Sequence, residues 1–119
     1  MSAPPPVVLH REKLPEERES LTHKFRVGEF TGYLIVGLSA DGRPLEIFLR
    51  VSKMGSSVQG FCNAWAKLFS TALQHGVPLK ALVDQFRFVN FEPSGLTDGR
   101  GKAYSIPDYV VRFLEEKFL

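Results

Sequence analysis

The stretch GYLIVGLSADGRPLEIFLRVS, residues 32–52, decides the fold, because it contains two strands and the turn that joins them. Its first part, GYLIVGLSA, is apolar on both faces, which suits a central strand covered on both sides or a strand at an oligomer interface. Asp41 and Gly42 follow as a pair that tolerates the positive φ of a two-residue hairpin. The second part alternates between two faces, with Leu45, Ile47, Leu49 and Val51 on one and Glu46, Phe48 and Arg50 on the other.

The preceding stretch THKFRVGEF adds a third strand. Phe25 and Val27 alternate there with Lys24 and Arg26, as in a half-buried strand. The three strands together predict an antiparallel meander.

A long helix follows the meander, from about residue 57 to residue 75. Apolar residues recur there at three- and four-residue spacing, which is typical of a helix with one buried face. They are Val58, Phe61, Cys62, Trp65, Leu68, Phe69, Ala72 and Leu73. We expect this helix to pack across the sheet.

The remaining pattern completes an α+β domain. Leu79, Leu82, Val83 and Phe86 predict a second, shorter helix, and RFVNF (residues 87–91) suggests a fourth strand. Ser105 is placed to cap a C-terminal helix, with Pro107 in its first turn. We therefore predict a three- to four-stranded antiparallel sheet packed against a long helix, with a second short helix and a C-terminal helix.

The composition is that of one soluble globular domain, with 119 residues, 44% hydrophobic, 24% charged and a net charge of +2. We expect residues 1–20 to form a flexible tail, because prolines interrupt any periodicity there, and residues 21–119 to form a single domain. No apolar run reaches the roughly 18 residues of a membrane span, and the first residues lack the pattern of a signal peptide. The single cysteine cannot form an internal disulfide. We therefore expect a cytoplasmic protein without membrane contact.

A glycine-rich stretch, GLTDGRGKA (Gly95–Ala103), has the composition of a phosphate-binding loop. A P-loop requires four residues between its first glycine and the Gly-Lys pair, and then a serine or threonine. Here five residues separate Gly95 from Gly101, and Ala103 occupies the hydroxyl position. The P-loop interpretation therefore fails. A looser anion site and a mobile surface loop both remain open.

The candidate ligand contacts lie in two places. In the glycine-rich loop they are Ser94, Thr97, Arg100 and Lys102, which could hold phosphate in a nest of backbone amides. At the start of the long helix they are Ser56 and Ser57, where free amides and the helix dipole favour an anion. An ordinary capped helix start explains the second pattern equally, since Ser56 and Gln59 fit a capping box.

Other chemistry is not indicated. His10, His23 and His75 lack metal-ligand spacing, so we predict no metal site. Cys62 lies on the apolar stripe and is expected to be a buried, inert thiol. Aromatic residues beside basic ones in HKFRV and QFRFVNF could stack bases, but half-buried strands give the same pattern, so we do not expect nucleic-acid binding. We predict no catalytic residues.

Several ordered segments resemble the TSCPD domain, the C-terminal accessory region of adenosylcobalamin-dependent (class II) ribonucleotide reductases. The most specific are LPEER (14–18), THKF (22–25), GSS (55–57), LQHGVPL (73–79) and FEPSG (91–95). With SIPDYVVRFLEEKFL (105–119), the resemblance runs from about Leu14 to Leu119. The letters T-S-C-P-D that name the domain are absent from this chain, which argues against a cysteine-based redox or metal role.

The resemblance implies an accessory module. In the full reductases a ten-stranded α/β barrel holds the radical-bearing cysteine, the cofactor and the substrate, and these residues contain none of that barrel. We therefore expect no cofactor, and either a partnership with a ribonucleotide reductase large subunit or binding of a nucleotide or nucleotide-like phosphate ligand. The alternative is a protein-interaction domain. The two-faced strand YLIVGL motivates that alternative and a homo-oligomer.

Overall fold

The computed structural model describes residues 10–51 and 56–119. Its elements are β1 (Ser20–Val27), β2 (Phe30–Leu38), β3 (Pro44–Val51), α1 (Ser56–Gln74), α2 (Leu79–Phe86), β4 (Gly95–Leu96), β5 (Lys102–Ala103) and α3 (Ile106–Phe118). Strands β1, β2 and β3 form an antiparallel sheet in that order, while β4 and β5 form a separate two-stranded ladder. The predicted α+β class, the meander and the three helices are confirmed. In the described part of the chain, none of the helices has the length and hydrophobicity needed to cross a membrane.

The fourth strand suggested by RFVNF is wrong, because residues 87–91 contain no strand. Phe88 has a φ of 67°, in the left-handed region, which an extended strand does not allow. The carboxylate of Asp108 accepts the Phe88 N–H at 2.8 Å and holds this conformation.

The turn between β2 and β3 is longer than the predicted two-residue hairpin. The Ser39 N–H donates to the Arg43 carbonyl at 2.8 Å, which leaves three residues in the loop. Only Gly42 among them has a positive φ, of 84°. This matches a type I turn followed by one left-handed residue, the usual geometry of a three-residue loop.

The hydrophobic core lies between one face of the sheet and the helices. Phe25, Val27, Leu34, Val36, Ile47 and Leu49 supply the sheet side. On α1, the side chains of Cys62, Trp65, Phe69 and Leu73 are buried as predicted. Leu68 does not belong to the buried face, because it is 66% exposed, and Phe61 is 44% exposed. The buried stripe of α1 is therefore narrower than the sequence suggests.

Polar side chains of α1 close the outer edge of β3. Ser70 Oγ accepts the Ile47 N–H at 2.9 Å, and Gln74 Nε2 donates to the Leu45 carbonyl at 3.0 Å. Gln59 accepts the Val51 N–H at 3.0 Å and donates to the Leu49 carbonyl at 3.1 Å. These bonds take the place of a neighbouring strand, since an open edge would leave those backbone groups unpaired.

The opposite edge of the sheet meets the β4–β5 ladder. The Gly28 N–H donates to the Leu96 carbonyl at 2.9 Å. A Cβ atom on Gly95 would lie 2.8 Å from the Gly28 Cα, so the two backbones approach as closely as only glycine permits. This contact fixes the glycine-rich loop beside β1.

Residues 10–19 form no helix or strand, yet they contact the surface of the rest of the chain. The Glu12 N–H donates to the Gln74 carbonyl at 2.7 Å, and the Glu12 carboxylate pairs with Arg43 at 2.8 Å. Arg18 pairs with Glu46 at 3.3 Å. The segment therefore runs along the sheet and the end of α1.

Candidate functional site

The glycine-rich loop forms a hydrogen-bonded turn at the tip of the β4–β5 ladder. The Thr97 hydroxyl donates to the Gly101 carbonyl at 2.7 Å and accepts the Arg100 N–H at 3.0 Å. Thr97 is 9% exposed. Its hydroxyl therefore holds the turn together, and a ligand would compete with those bonds.

A cleft of about 320 Å³ lies between this loop and α3. Three arginines from three different segments line it, together with two carboxylates and one tyrosine. The lining residues are Arg87, Gly99, Arg100, Tyr109, Arg112, Glu115 and Glu116. Of the four predicted loop contacts, Arg100 is the one that lines the cleft.

Each arginine of the cleft already has a carboxylate partner. Arg87 pairs with Glu115 at 3.0 Å and Arg100 with Glu116 at 3.3 Å. Arg112 pairs with the fully buried Asp108 at 3.2 Å, and also donates to the carbonyls of Lys102 and Arg100. Glu116 remains 65% exposed, so an incoming anion could displace it into solvent.

An imidazole lies at the inner side of the loop. His23 Nε2 is 2.8 Å from the Tyr109 hydroxyl, and the His23 ring stacks on Phe113 with centroids 4.2 Å apart. Burial, with the nearby Arg100 cation, lowers the pKa of His23 below its ordinary value. Burial raises the pKa of Tyr109. Both groups are therefore neutral at pH 7, and neither adds charge to the cleft.

The other predicted contacts are dispersed. Lys102 Nζ lies 5.3 Å from the centre of the Tyr104 ring, outside the cleft lining. Ser94 precedes β4, with its carbonyl packed against Gly28. Ser57 is exposed in the first turn of α1, and the side chain of Ser56 lies outside the described residues. The structure therefore brings Arg100 and Thr97 together, and does not gather all six residues.

Within residues 10–51 and 56–119, no three His, Cys, Asp or Glu side chains are arranged to hold a metal ion. Cys62 is 1% exposed, and burial raises the pKa of its thiol, which disfavours the reactive thiolate.

Sequence reasoning missed Arg87, Arg112 and Tyr109. The i, i+4 spacing of Asp108 and Arg112 could have indicated their pairing on a helix. Arg87 comes from the segment after α2, and no local pattern places it against α3. Its position follows from the packing of α2 on α3.

The fold and the cleft define a small α+β module with an arginine-lined surface. The TSCPD domain family matches residues 7–118. The chain therefore belongs to the TSCPD domain family.

The chain is also similar to enzymes named vitamin B12-dependent ribonucleotide reductase. It is 43% identical over 111 residues to the one from Rhodopirellula baltica, covering 92% of this chain and 11% of that protein. The protein from Bradyrhizobium diazoefficiens is 41% identical, over 95% of this chain and 9% of its own length. The protein from Agrobacterium fabrum is 42% identical, over 92% of this chain and 9% of its own length. The chain thus spans about a tenth of the length of these relatives. No solved structure matches it.

Proposed function

We propose that this chain is a non-catalytic accessory module of ribonucleotide-reductase type that binds a nucleotide or nucleotide-like phosphate ligand. The observation that carries this proposal is the convergence of Arg87, Arg100 and Arg112 on one cleft beside the glycine-rich loop. Guanidinium groups bind phosphate with charge-assisted hydrogen bonds, often two at a time. In this proposal the module binds the phosphate ligand, and a partner protein carries out the catalysis.

The phosphate would contact Arg100 first, since its carboxylate partner Glu116 is exposed and weakly held. Lys102, Thr97 and Ser94 are the further contacts we propose from the loop, with Ser56 and Ser57 as a second anion site at the start of α1. Arg112 is less available, because its partner Asp108 is buried and also accepts two backbone N–H groups.

Isothermal titration with a panel of nucleotides, cyclic nucleotides included, tests the proposal. We expect saturable binding that weakens about tenfold or more in Arg100→Ala, the cost of one hydrogen bond to a charged group. Arg43→Ala is the matched control, because Arg43 is another exposed, ion-paired arginine, located at the β2–β3 turn. If no nucleotide produces heat, the ligand part of the proposal is abandoned.

The partner we propose is a ribonucleotide reductase large subunit, acting with this module in trans. The support is the 43% identity to a region of such an enzyme. Co-elution of the chain with a vitamin B12-dependent reductase on a sizing column is the direct measurement. The pure chain with cobalamin cofactor and dithiol should give no deoxynucleotide.

A protein-interaction domain that self-associates is the second candidate. It is favoured by the outer face of the sheet, where Tyr33 is 46% and Phe48 48% exposed. Light scattering would then give a mass well above the 13.4 kDa of one chain. A strict monomer at every concentration would contradict this candidate.

A further inference from the structure

The outer face of the sheet combines exposed aromatic rings with cations in a fixed register. One row across the three strands reads Lys24, Tyr33, Arg50, and the adjacent row reads Thr22, Ile35, Phe48. Directly opposed residues of one face have Cβ atoms about 5 Å apart. In the strand register Tyr33 therefore lies between Lys24 and Arg50, with Phe48 in the adjacent row.

This face continues into a groove of about 930 Å³ that runs along β3 and is bounded by α1. Arg11 and Lys67 add two more cations to its lining, which already includes Lys24 and Arg50. Asn63 on α1 accepts a bond from Gln59 through its side-chain oxygen, at 2.7 Å. We call this feature the β3–α1 groove.

The cations of the groove are uncommitted, unlike those of the arginine cleft. In the stretches 10–51 and 56–119, Lys24, Arg50 and Lys67 form no ion pair, and Arg11 bonds only to the neutral amide of Gln74. The one carboxylate of the lining, Glu46, is paired with Arg18 at 3.3 Å. The groove is therefore strongly positive, and it complements a ligand with several separated negative charges.

We propose that the β3–α1 groove binds single-stranded nucleic acid. Bases stack on Tyr33 and Phe48, and the phosphates that follow contact Lys24, Arg50 and Lys67. Exposed aromatic rings on an antiparallel sheet, flanked by cations, are the means by which single strands are held without sequence readout. A duplex hides the ring faces of its bases within the stack, so it cannot use the aromatic pair.

The geometry limits the occupant in two ways. Strand β3 extends about 13 Å between Glu46 and Arg50, at roughly 3.3 Å per residue. This length accommodates two or three nucleotides. A peptide could not add to the sheet as a strand at this edge, because Gln59, Ser70 and Gln74 already bond the outward backbone groups of β3. Side-chain stacking and charge are left as the means of binding.

The sequence pattern did not predict this site, because aromatic residues next to basic ones were sought only within single strands. In HKFRV the aromatic residue Phe25 points into the core, where it is 3% exposed. The rings of the groove come from β2 and β3, while one of its cations comes from β1. Only the pairing of the strands places them on one surface.

Fluorescence anisotropy with a short labelled single-stranded oligonucleotide, as DNA and as RNA, tests the proposal with the full chain. We expect binding that weakens as salt increases, with a slope of log K against log salt of about −2 for three phosphate contacts at roughly −0.7 each. Tyr33→Leu keeps an apolar side chain but removes the stacking ring, and should weaken binding about tenfold. Lys24→Ala with Arg50→Ala should weaken binding and reduce the salt slope.

Matched controls separate this site from general positive charge. Arg43→Ala with Lys80→Ala removes two exposed cations elsewhere and should leave binding unchanged. Since Tyr33 is 46% exposed, the leucine variant should remain folded, which circular dichroism would verify.

Four results would overturn the proposal. They are no binding by the wild-type chain, equal binding of a duplex or of polyglutamate, full retention of affinity by Tyr33→Leu, and self-association that Phe48→Lys abolishes. The last result would assign the groove to a second copy of the chain. None of the four affects nucleotide binding at the arginine cleft, so the two proposals fail separately.

Discussion

At the scale of single residues, Asp108 connects three segments of the chain. It is fully buried, and its carboxylate accepts the N–H groups of Phe88 at 2.8 Å and of Tyr104 at 2.9 Å, besides pairing with Arg112. Its own N–H donates to the Ser105 hydroxyl, which caps α3. The left-handed backbone of Phe88 is thus maintained by a side chain twenty residues away.

Asp108→Asn should destabilise the protein by roughly 2 to 4 kcal/mol, because the amide replaces one acceptor oxygen with a donor that faces an N–H group. Chemical denaturation measures the loss. Asp84→Asn is the control, since Asp84 forms only an exposed pair with Lys80, and we expect a change below about 0.5 kcal/mol. Equal stability of the two variants would show that the buried carboxylate is not required.

His23 makes stability depend on pH, since its pKa is lowered in the folded protein by burial first and by Arg100 second. The Glu116 carboxylate opposes this shift, and Lys117 adds to it. Between the lowered pKa and the ordinary value of about 6.5, the unfolded chain binds more protons than the folded one. The contribution of neutral His23 to the free energy of unfolding is therefore fully present above about pH 6.5, and it is lost as the pH decreases through the pKa of His23 in the folded protein.

We expect the free energy of unfolding to fall between about pH 7.5 and pH 5.5 in the wild-type chain, and to fall less steeply in His23→Gln. Denaturation at several pH values measures this slope. Tyr109→Phe keeps the imidazole buried while removing the hydroxyl, and it should retain the slope. If it does not, the hydrogen bond to Tyr109 and not burial determines the pKa of His23.

At the scale of elements, the edge of β3 is closed by a helix and not by a strand. Gln59, Ser70 and Gln74 lie on one side of α1 at spacings that bring them to successive outward backbone groups of β3. This arrangement fixes the helix along the strand and leaves its other polar residues facing the groove. It also blocks the edge against pairing with another chain.

Ser70→Ala should cost about 1 to 3 kcal/mol, because it leaves the buried Ile47 N–H without its acceptor. Thr71→Ala, one residue further along the same helix and exposed, is the control and should change stability by less than about 0.5 kcal/mol. Hydrogen exchange gives the specific readout. The Ile47 amide should exchange faster in Ser70→Ala alone, and unchanged protection would contradict the edge-closing role.

The same elements show what the sequence can and cannot predict. Alternation and helical spacing are local, so the three strands, three helices and the Ser105 cap are predicted correctly. The fourth strand is wrong because Asp108, distant in sequence, imposes the left-handed Phe88. The cleft could be predicted only through Arg100, since Arg87 and Arg112 reach it by tertiary packing. The groove depends in the same way on strand register.

At the scale of the whole molecule, the arginine cleft and the β3–α1 groove are formed by different elements. The arginine cleft lies between the glycine-rich loop and α3, while the β3–α1 groove lies along the opposite edge of the sheet. The cleft holds its charges in pairs, and the groove presents them unpaired. The two proposed ligands would share no residues, so the two proposals together predict that a phosphate ligand and a single-stranded nucleic acid do not compete for this module.

The division of the chain into a tail, residues 1–20, and a domain, residues 21–119, stays a prediction with a direct test. Residues 10–19 contact the domain through two ion pairs, Glu12 with Arg43 and Arg18 with Glu46, and through a bond from Arg11 to the Gln74 side chain. Two backbone bonds add to these, from the Glu12 N–H to the Gln74 carbonyl and from the Leu38 N–H to the Glu19 carbonyl. Exposed pairs contribute about 0 to 1 kcal/mol each, and a backbone bond about 1 kcal/mol. A chain of residues 20–119, which keeps β1 complete, should therefore fold with a loss of roughly 2 to 5 kcal/mol.

Circular dichroism and chemical denaturation of the shortened chain measure this loss. Glu12→Gln in the full chain weakens the Glu12–Arg43 pair, keeps the Arg43–Asp41 pair, and should account for less than about 1 kcal/mol of it. If the shortened chain does not fold, residues 10–19 are part of the domain, because their contacts with α1 and the β2–β3 turn would then be necessary for the core to close. A decrease in the free energy of unfolding within the expected range would place the N-terminal boundary of the domain at β1.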